Sequence, residues 1–126
     1  MTRWVKVGIV ADFPQGELRS VDADGTALIV TRDGASFCAA SNRCPHLGFP
    51  LDKGPAGVRF EDGVVQCPWH NSRFELCSGD NLDWATGFAG REVPRWSRPL
   101  VALGRKPAPL KTYPVVIDGD DVLIEL

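Results

Sequence analysis

The sequence lacks the features that mark three common classes of protein. No apolar run approaches the about 20 residues that are needed to cross a bilayer, and the segment Met1 to Lys6 does not begin the apolar stretch of a signal peptide. The formal net charge is only -2, from 14 basic and 16 acidic residues, so there is no general attraction for nucleic acid or anionic membranes. We therefore expect a cytoplasmic protein that binds neither nucleic acid nor membrane.

The sequence also lacks helical periodicity. No long stretch keeps an apolar repeat of about 3.6 residues, whereas 13 glycines and 10 prolines divide the chain into short segments. The 126 residues are the size of one compact domain, and we interpret residues 1–126 as a single all-β domain. The predicted strands are Trp4 to Val10, Glu17 to Val21, Thr26 to Thr31, Ser36 to Ala40, Val64 to Gln66, Arg73 to Leu76, Tyr113 to Ile117 and Asp121 to Leu126.

Four Asp-Gly pairs predict hairpins between these strands. A tight turn needs positive φ values, which glycine adopts at little cost. The pairs are Asp24-Gly25, Asp33-Gly34, Asp62-Gly63 and Asp118-Gly119. We expect each pair to form a tight turn that joins neighbouring antiparallel strands.

Cysteine and histidine are few, and both histidines lie close to a cysteine. Cys44 and His46 are separated by one residue, Cys67 and His70 by two, and glycine, proline, asparagine or serine follows each pair. In a cytoplasmic protein thiols stay reduced, so such pairs favour metal binding over disulfides. Thiolate and imidazole bind zinc, copper and iron-sulfur clusters, so these residue types alone leave the metal open.

The residues around the two pairs resemble the cluster loops of Rieske proteins, and in particular of the ferredoxin type. The matching segments are Cys-Pro-His-Leu-Gly-Phe-Pro-Leu at 44–51 and Cys-Pro-Trp-His-Asn-Ser-Arg-Phe-Glu-Leu-Cys-Ser-Gly at 67–79. The resemblance implies an all-β Rieske fold, with an antiparallel sandwich or barrel-like base and a cluster-binding subdomain at about residues 42–79. It also implies a Rieske-type 2Fe-2S cluster. Its ligands would be Cys44 and Cys67 on the inner iron and His46 and His70 on the outer iron.

The same resemblance implies that the protein is a soluble one-electron carrier and not itself an enzyme. The expected donor is a flavin-dependent reductase, and the expected acceptor is the terminal oxygenase of an aromatic-ring-hydroxylating system. The mixed ligand set suits this role because two thiolates cancel the formal charge of two ferric ions and two sulfides. Adding an electron to that neutral site costs less than adding it to a site with four thiolates.

The sequence departs from respiratory Rieske proteins at several loop positions. Those proteins join the two loops by a disulfide, whereas this chain has Phe49 and Trp69 there; Trp69 could equally serve packing or docking. Asn71 replaces a common glycine, and asparagine tolerates positive φ. Ser72 matches a serine that hydrogen-bonds a bridging sulfide, but Phe74 replaces a tyrosine that reaches a ligand cysteine. The residues expected to surround the cluster are Leu47, Trp69, Ser72 and Phe74.

Two other interpretations fit the same residues. The chain could be the small Rieske subunit of an assimilatory nitrite reductase, or a structural zinc module with two cysteines and two histidines. We reject an oxygenase, because the cluster would use both histidines and leave none for a catalytic iron. Cys38 and Cys77 fit no ferredoxin ligand spacing, and we expect them to be buried thiols.

One segment, about residues 81–105, shows no strand alternation and is interpreted as an insertion. It is rich in arginine and contains Trp84, Phe88 and Trp96. A solvated surface loop is the simple interpretation. Because arginine and tryptophan are favoured at interfaces, our hypothesis is that it forms a partner-specific surface.

Overall fold

The computed structural model describes residues 3–45, 48–54, 59–102 and 107–126. Within these ranges the chain forms thirteen short strands, 3-10 turns at Val10–Asp12 and Arg95–Ser97, and one helix, α1 (Arg98–Ala102). No helix in these ranges is long and apolar enough to cross a membrane. The strands are β1 (Trp4–Ile9), β2 (Leu18–Ala23), β3 (Thr26–Asp33), β4 (Ser36–Ser41), β5 (Arg59–Glu61), β6 (Val64–Gln66), β7 (Arg73–Glu75), β8 (Asn81–Asp83), β9 (Gly87–Phe88), β10 (Arg91–Glu92), β11 (Thr112–Tyr113), β12 (Val115–Asp118) and β13 (Asp121–Glu125).

Two antiparallel sheets form the base of the molecule. One has the strand order β1-β13-β12 and therefore joins both ends of the chain, and the other has the order β11-β4-β3-β2. Apolar side chains from both sheets fill the base core. Its buried members are Phe13, Ala23, Leu28, Val30, Ala39, Val122 and Ile124.

A third antiparallel sheet, β5-β6-β7-β8, carries the second predicted cluster loop. Its core, which we call the site core, contains both predicted cysteine ligands. The buried members of the site core are Ile29, Ala40, Cys44, Leu51, Val65, Cys67, Phe74, Leu76 and Leu110. The cysteines are thus surrounded by well-packed apolar side chains.

Strand β3 separates the two cores. Successive side chains of a strand point to opposite faces, so Leu28 and Val30 enter the base core while Ile29 enters the site core. Ala39 and Ala40 of β4 divide in the same way. The base and the cluster-binding region therefore share one wall, which is buried on both faces.

The four predicted hairpins are confirmed. The Asp-Gly pairs join β2 to β3, β3 to β4, β5 to β6 and β12 to β13, all antiparallel. Asp24 and Gly25 both have positive φ, at 53° and 92°, as do Asp62 and Gly63, at 51° and 78°. These are the turns that match the twist of two paired strands.

The expectation that residues 81–105 lie outside the strand pattern is wrong for residues 81–102; residues 103–105 lie outside the described residues, and the interpretation as an insertion stays a prediction. β8 completes the third sheet, β9 pairs with β10, and α1 packs against β9. These strands have two or three residues each, too short to produce an alternating pattern in the sequence. They form by pairing with neighbouring strands, β8 with β7 and β9 with β10.

The expectation of buried thiols at Cys38 and Cys77 is also wrong. The two residues form a disulfide, with their Cα atoms 5.0 Å apart. Cys38 is half-buried on β4 and Cys77 is exposed just after β7. The sequence separation of 39 residues hid this pairing, because only the packing of one sheet on another brings the two positions together.

Candidate metal centre

The two predicted cluster loops have the same backbone hydrogen-bond pattern. In the first, Cys44 N–H donates to Phe49 O and Gly48 N–H donates to Cys44 O, at 2.8 and 2.7 Å. In the second, Cys67 N–H donates to Ser72 O and Asn71 N–H donates to Cys67 O, at 2.7 and 3.2 Å. Each loop is therefore closed by bonds to the backbone of its first cysteine.

The fifth residue of each loop has a left-handed backbone. Gly48 has φ 78° and Asn71 has φ 66°. Glycine adopts this conformation freely, and asparagine is among the few other residues that do so at modest cost. The asparagine in place of the common glycine therefore preserves the turn, as expected from the sequence.

The two loops bring Cys44 and Cys67 into contact. Both are buried, and neither is part of a disulfide. A hydrogen bond from the Cys44 side chain, together with backbone N–H groups of His70 and Trp69, lowers the pKa of the Cys67 thiol to about 6, although burial opposes the shift. Cys67 thus favours the thiolate form, which is the metal-binding form. This donor set fits an iron-sulfur group that needs two neighbouring thiolates inside the protein.

The predicted histidines are only partly placed. His70 is 8% exposed and follows Cys67 on the second loop, while His46 and Leu47 lie outside the described residues. Within the described ranges, no group of three or more His, Cys, Asp and Glu side chains is arranged as a metal site. The structure therefore brings together the cysteine half of the predicted ligand set.

Aromatic side chains join the loops at the positions where respiratory Rieske proteins have a disulfide. The rings of Phe49 and Trp69 are stacked, with centroids 4.7 Å apart and an interplanar angle of 30°. Phe49 also stacks on His70, at 6.0 Å, and Trp69 Nε1 donates to Lys53 O at 3.1 Å. Trp69 therefore has a packing role, and its side chain stays half-buried.

Ser72 and Phe74 are buried at and just after the end of the second loop. Ser72 is fully buried, and its Oγ accepts a hydrogen bond from Ala85 N–H at 2.9 Å. An accepting hydroxyl still has its own proton to donate. Phe74 is fully buried in the site core, to which both cysteines also belong, so the ring has no contact with solvent.

Sequence reasoning missed the side-chain role of two buried asparagines. Asn42 accepts from Leu51 N–H and donates to Asp52, at 2.9 and 2.8 Å, which fixes the end of the first loop. Asn71 accepts from Gly90 N–H at 2.8 Å and donates to Arg91 O at 3.1 Å. No local pattern marks these residues, because their partners are 9 to 20 positions away.

The segment after β8, residues 84–93, is attached to the second loop along its length. Ala89 N–H donates to Trp69 O at 2.8 Å, in addition to the bonds made by Ser72 and Asn71. Ala85 and Ala89 both have positive φ, at 45° and 51°, which is costly for alanine unless the surroundings impose it. Both donate their N–H to the second loop. We infer that these bonds hold the segment in its strained conformation.

Replacing Asn71 by glycine should separate the two roles of this residue. The Asn71→Gly variant keeps the positive φ but loses both side-chain hydrogen bonds, so we expect the local opening free energy of residues 85–91 to fall by about 1–3 kcal/mol. Amide hydrogen exchange measures this directly. The control is Asn81→Ser, which removes two side-chain bonds to Arg73 O and Asp83 O on the third sheet. Unchanged exchange of Ala89 and Gly90 in Asn71→Gly would contradict the assignment.

Comparisons with known proteins agree with this geometry. Residues 3–93 match the model of the Rieske [2Fe-2S] domain. The chain is 26% identical over 124 residues to the ferredoxin component of the naphthalene 1,2-dioxygenase system of Pseudomonas aeruginosa, covering 98% of this chain and 96% of that protein. The solved ferredoxin of carbazole 1,9a-dioxygenase from Nocardioides aromaticivorans IC177 has a TM-score of 0.66 and 28% identity, with 96% of this chain and 95% of that chain covered.

A third relative is much longer than this chain. Apoptosis-inducing factor 3 of Mus musculus is 35% identical over 75 residues, which is 60% of this chain and 12% of that protein. The chain therefore spans about an eighth of the length of this relative. The similarity concerns a stretch of 75 residues in that protein.

Proposed function

The chain belongs to the Rieske [2Fe-2S] domain family, and on this premise we propose that it is a one-electron carrier whose cluster is held by Cys44, Cys67, His46 and His70. The observation that carries the proposal is the pair of buried, neighbouring thiols at the starts of two matching loops. The bound cluster would supply reversible one-electron chemistry at a potential that histidine ligation raises.

Different residues of the site would have different roles towards the bound cluster. Cys44 and Cys67 would neutralise positive charge inside the site core, and the N–H groups of Trp69 and His70 would stabilise the sulfur of Cys67. His46 and His70 would face the outer iron. The apolar surroundings, including Phe74 and Leu51, would keep water away from the thiolates.

The redox partners are proposed from the relatives that cover nearly the whole chain. They are ferredoxin components of aromatic dioxygenase systems, so we place the protein between a flavin-dependent reductase and a terminal oxygenase, in the cytoplasm. A carrier of this kind performs no reaction of its own on a substrate. The identity of the oxygenase substrate would be decided by the partner.

Removing single ligands should give distinct results. Cys67→Ser should yield protein without iron or inorganic sulfide, because a buried thiolate is lost. His70→Ala should lose the cluster or change its visible spectrum and potential strongly. Iron and sulfide analysis with absorption spectroscopy makes the measurement, and Cys77→Ser is the matched control, expected to reconstitute two irons and two sulfides. Zinc without sulfide in the wild type, or a wild-type spectrum in His70→Ala, would contradict the proposal.

The reduction potential should depend on the Ser72 hydroxyl. Ala85 N–H donates a hydrogen bond to Ser72 Oγ and so orients the hydroxyl group. The hydroxyl proton would therefore be available to donate to a cluster sulfur. Such a bond stabilises the added negative charge, and Ser72→Ala should lower the potential by on the order of tens of millivolts. Protein-film voltammetry is the measurement, with the exposed Ser78→Ala as control. An unchanged potential in Ser72→Ala would mean that the hydroxyl bonds only to Ala85 N–H and not to the cluster.

Phe74→Tyr should act in the opposite direction. The Phe74 ring belongs to the same buried core as both cysteines. The hydroxyl of a tyrosine at this position would therefore be available to donate a hydrogen bond to the sulfur of a ligand cysteine. We expect the potential to rise, and expect the wild type to lie above typical ferredoxin-type Rieske proteins and below respiratory ones. A lower potential in Phe74→Tyr, with the cluster content unchanged, would contradict this expectation.

The docking surface is proposed to include the helical segment at residues 95–102. This segment comes after the part of the chain that matches the family model, which ends at residue 93. Its helix α1 packs against β9, whose segment is bonded to the second loop. Trp96 is 78% exposed and Leu100 70% exposed, and Arg95 is also exposed. Exposed tryptophan, leucine and arginine together are typical of an interface anchor.

Truncating Trp96 should weaken the partner interaction. With a terminal oxygenase that accepts electrons from the wild-type protein, Trp96→Ala should raise the KM for the carrier by about fivefold or more while kcat changes little. Trp4→Ala is the matched control, because Trp4 is 47% exposed on β1 of the base. Equal KM values for Trp96→Ala and wild type would leave the segment as a surface element without a role in docking.

A further inference from the structure

The Cys38–Cys77 disulfide closes a covalent ring around the whole candidate site. The ring runs from β4 to the turn after β7, with a sequence separation of 39 residues, and it contains both cluster loops. One end lies on β4 of the base, and the other lies in the turn that follows β7 of the third sheet. Besides the backbone, the disulfide thus links the base covalently to the cluster-binding region.

The two sulfurs of this bond are not equally accessible. Cys77 is exposed and lines a cavity of 570 Å³ between the third sheet and the β3–β4 hairpin. Cys38 is half-buried and does not line it. A thiolate that enters through this cavity would therefore meet Cys77 first, and access decides which sulfur is attacked.

Charged side chains set which thiols can approach. The cavity is lined by Asp33, Glu61 and Asp62, all exposed, with Arg32 as the basic residue among its lining side chains. The excess of carboxylates repels an anionic reagent and attracts a cationic one, and salt screens both effects. Gln15 Nε2 donates a hydrogen bond to Asp33 Oδ1 at 3.3 Å and so holds one of these carboxylates in place.

We propose that Cys38–Cys77 is a reversible thiol–disulfide exchange site, entered at Cys77, that takes neutral or cationic thiols and dithiols. The thiolate of the reagent forms a new S–S bond with Cys77 Sγ, and the Cys38 sulfur leaves as a thiolate and gains a proton from water. A second thiol then attacks the reagent's sulfur in this mixed disulfide. The protein disulfide is reduced to two thiols, and two reagent thiols are oxidised to one disulfide.

Opening the ring would leave the fold in place but loosen the site. Hydrogen bonds still hold the turn after β7, since Leu76 N–H donates to Gly63 O and Leu110 N–H donates to Gly79 O, at 2.9 and 2.8 Å. What is lost is the restriction that the ring places on the two loops. We expect bound iron to be released faster from the reduced form; this consequence rests on the proposed function, whereas the exchange itself does not.

The exchange is tested with three small thiols that differ in charge. Cysteamine, 2-mercaptoethanol and 2-mercaptoethanesulfonate react with the native holoprotein, and mass spectrometry after alkylation measures the adduct on Cys77 and the free thiol on Cys38. At equal thiolate concentration we expect cysteamine to be fastest and the sulfonate slowest, with roughly a threefold or larger difference at low ionic strength that shrinks in high salt. Asp62→Asn should reduce the difference.

Three results would overturn the proposal. These are adducts on Cys38 instead of Cys77, rates that do not depend on reagent charge, and isolated protein in which both cysteines are thiols and stay so in oxidised dithiothreitol. The Cys38→Ser/Cys77→Ser variant is the control, and it should give no adduct. In a separate arm, a chelator should remove iron several-fold faster from this variant than from the oxidised wild type. Equal rates there would overturn the retention role without affecting the adduct result.

Discussion

The candidate site depends on holding two loops from different sheets against each other, so that two thiols meet in a buried place. Among the described residues no disulfide joins these loops; the one that forms links β4 to the turn after β7. Close packing holds the loops instead. Phe49 stacks on Trp69, and a Cβ atom at Gly54 would lie only 2.8 Å from both Pro68 Cγ and Trp69 Nε1. Gly54 therefore permits an approach that any side chain would prevent.

Further supports act on each loop from outside. Asn42 fixes the return of the first loop, and Asn71 attaches the second loop to residues 90 and 91. Beneath them, β3 and β4 are buried on both faces and serve as a common wall. Because this wall is part of both cores, a movement of the base against the site would disturb close packing in both. The arrangement suits a carrier, in which the ligands should move little when the charge changes.

Local chemistry made much of this structure predictable from the sequence. Asp24-Gly25 and Asp62-Gly63 specify tight turns by themselves, and Cys67 to Ser72 form one loop whose conformation needs a residue such as Asn71 that tolerates positive φ. The spacing of Cys44, His46, Cys67 and His70 predicted a metal site. The structure places the two cysteines together, and the complete ligand set stays a prediction.

Features that depend on distant contacts were not predictable. Cys38 and Cys77 have nothing in their neighbourhood that indicates pairing. The strands β8 to β10 are too short to give a sequence pattern; β8 pairs with β7, whereas β9 and β10 pair with each other and their segment is hydrogen-bonded to the second loop. The strained Ala85 and Ala89 are likewise imposed by partners on that loop. For Trp69 the sequence left packing and docking equally open; the stack on Phe49 shows the packing, and a docking role stays a prediction.

The central claim is that two cysteines and two histidines of this chain hold a Rieske-type 2Fe-2S cluster. The most direct measurement is pulsed electron paramagnetic resonance of the dithionite-reduced protein, produced once with natural and once with ¹⁵N-labelled histidine. The account predicts a reduced 2Fe-2S signal with hyperfine couplings from two histidine nitrogens, which change on labelling. A protein without a signal, or a signal that the label leaves unchanged, would contradict it.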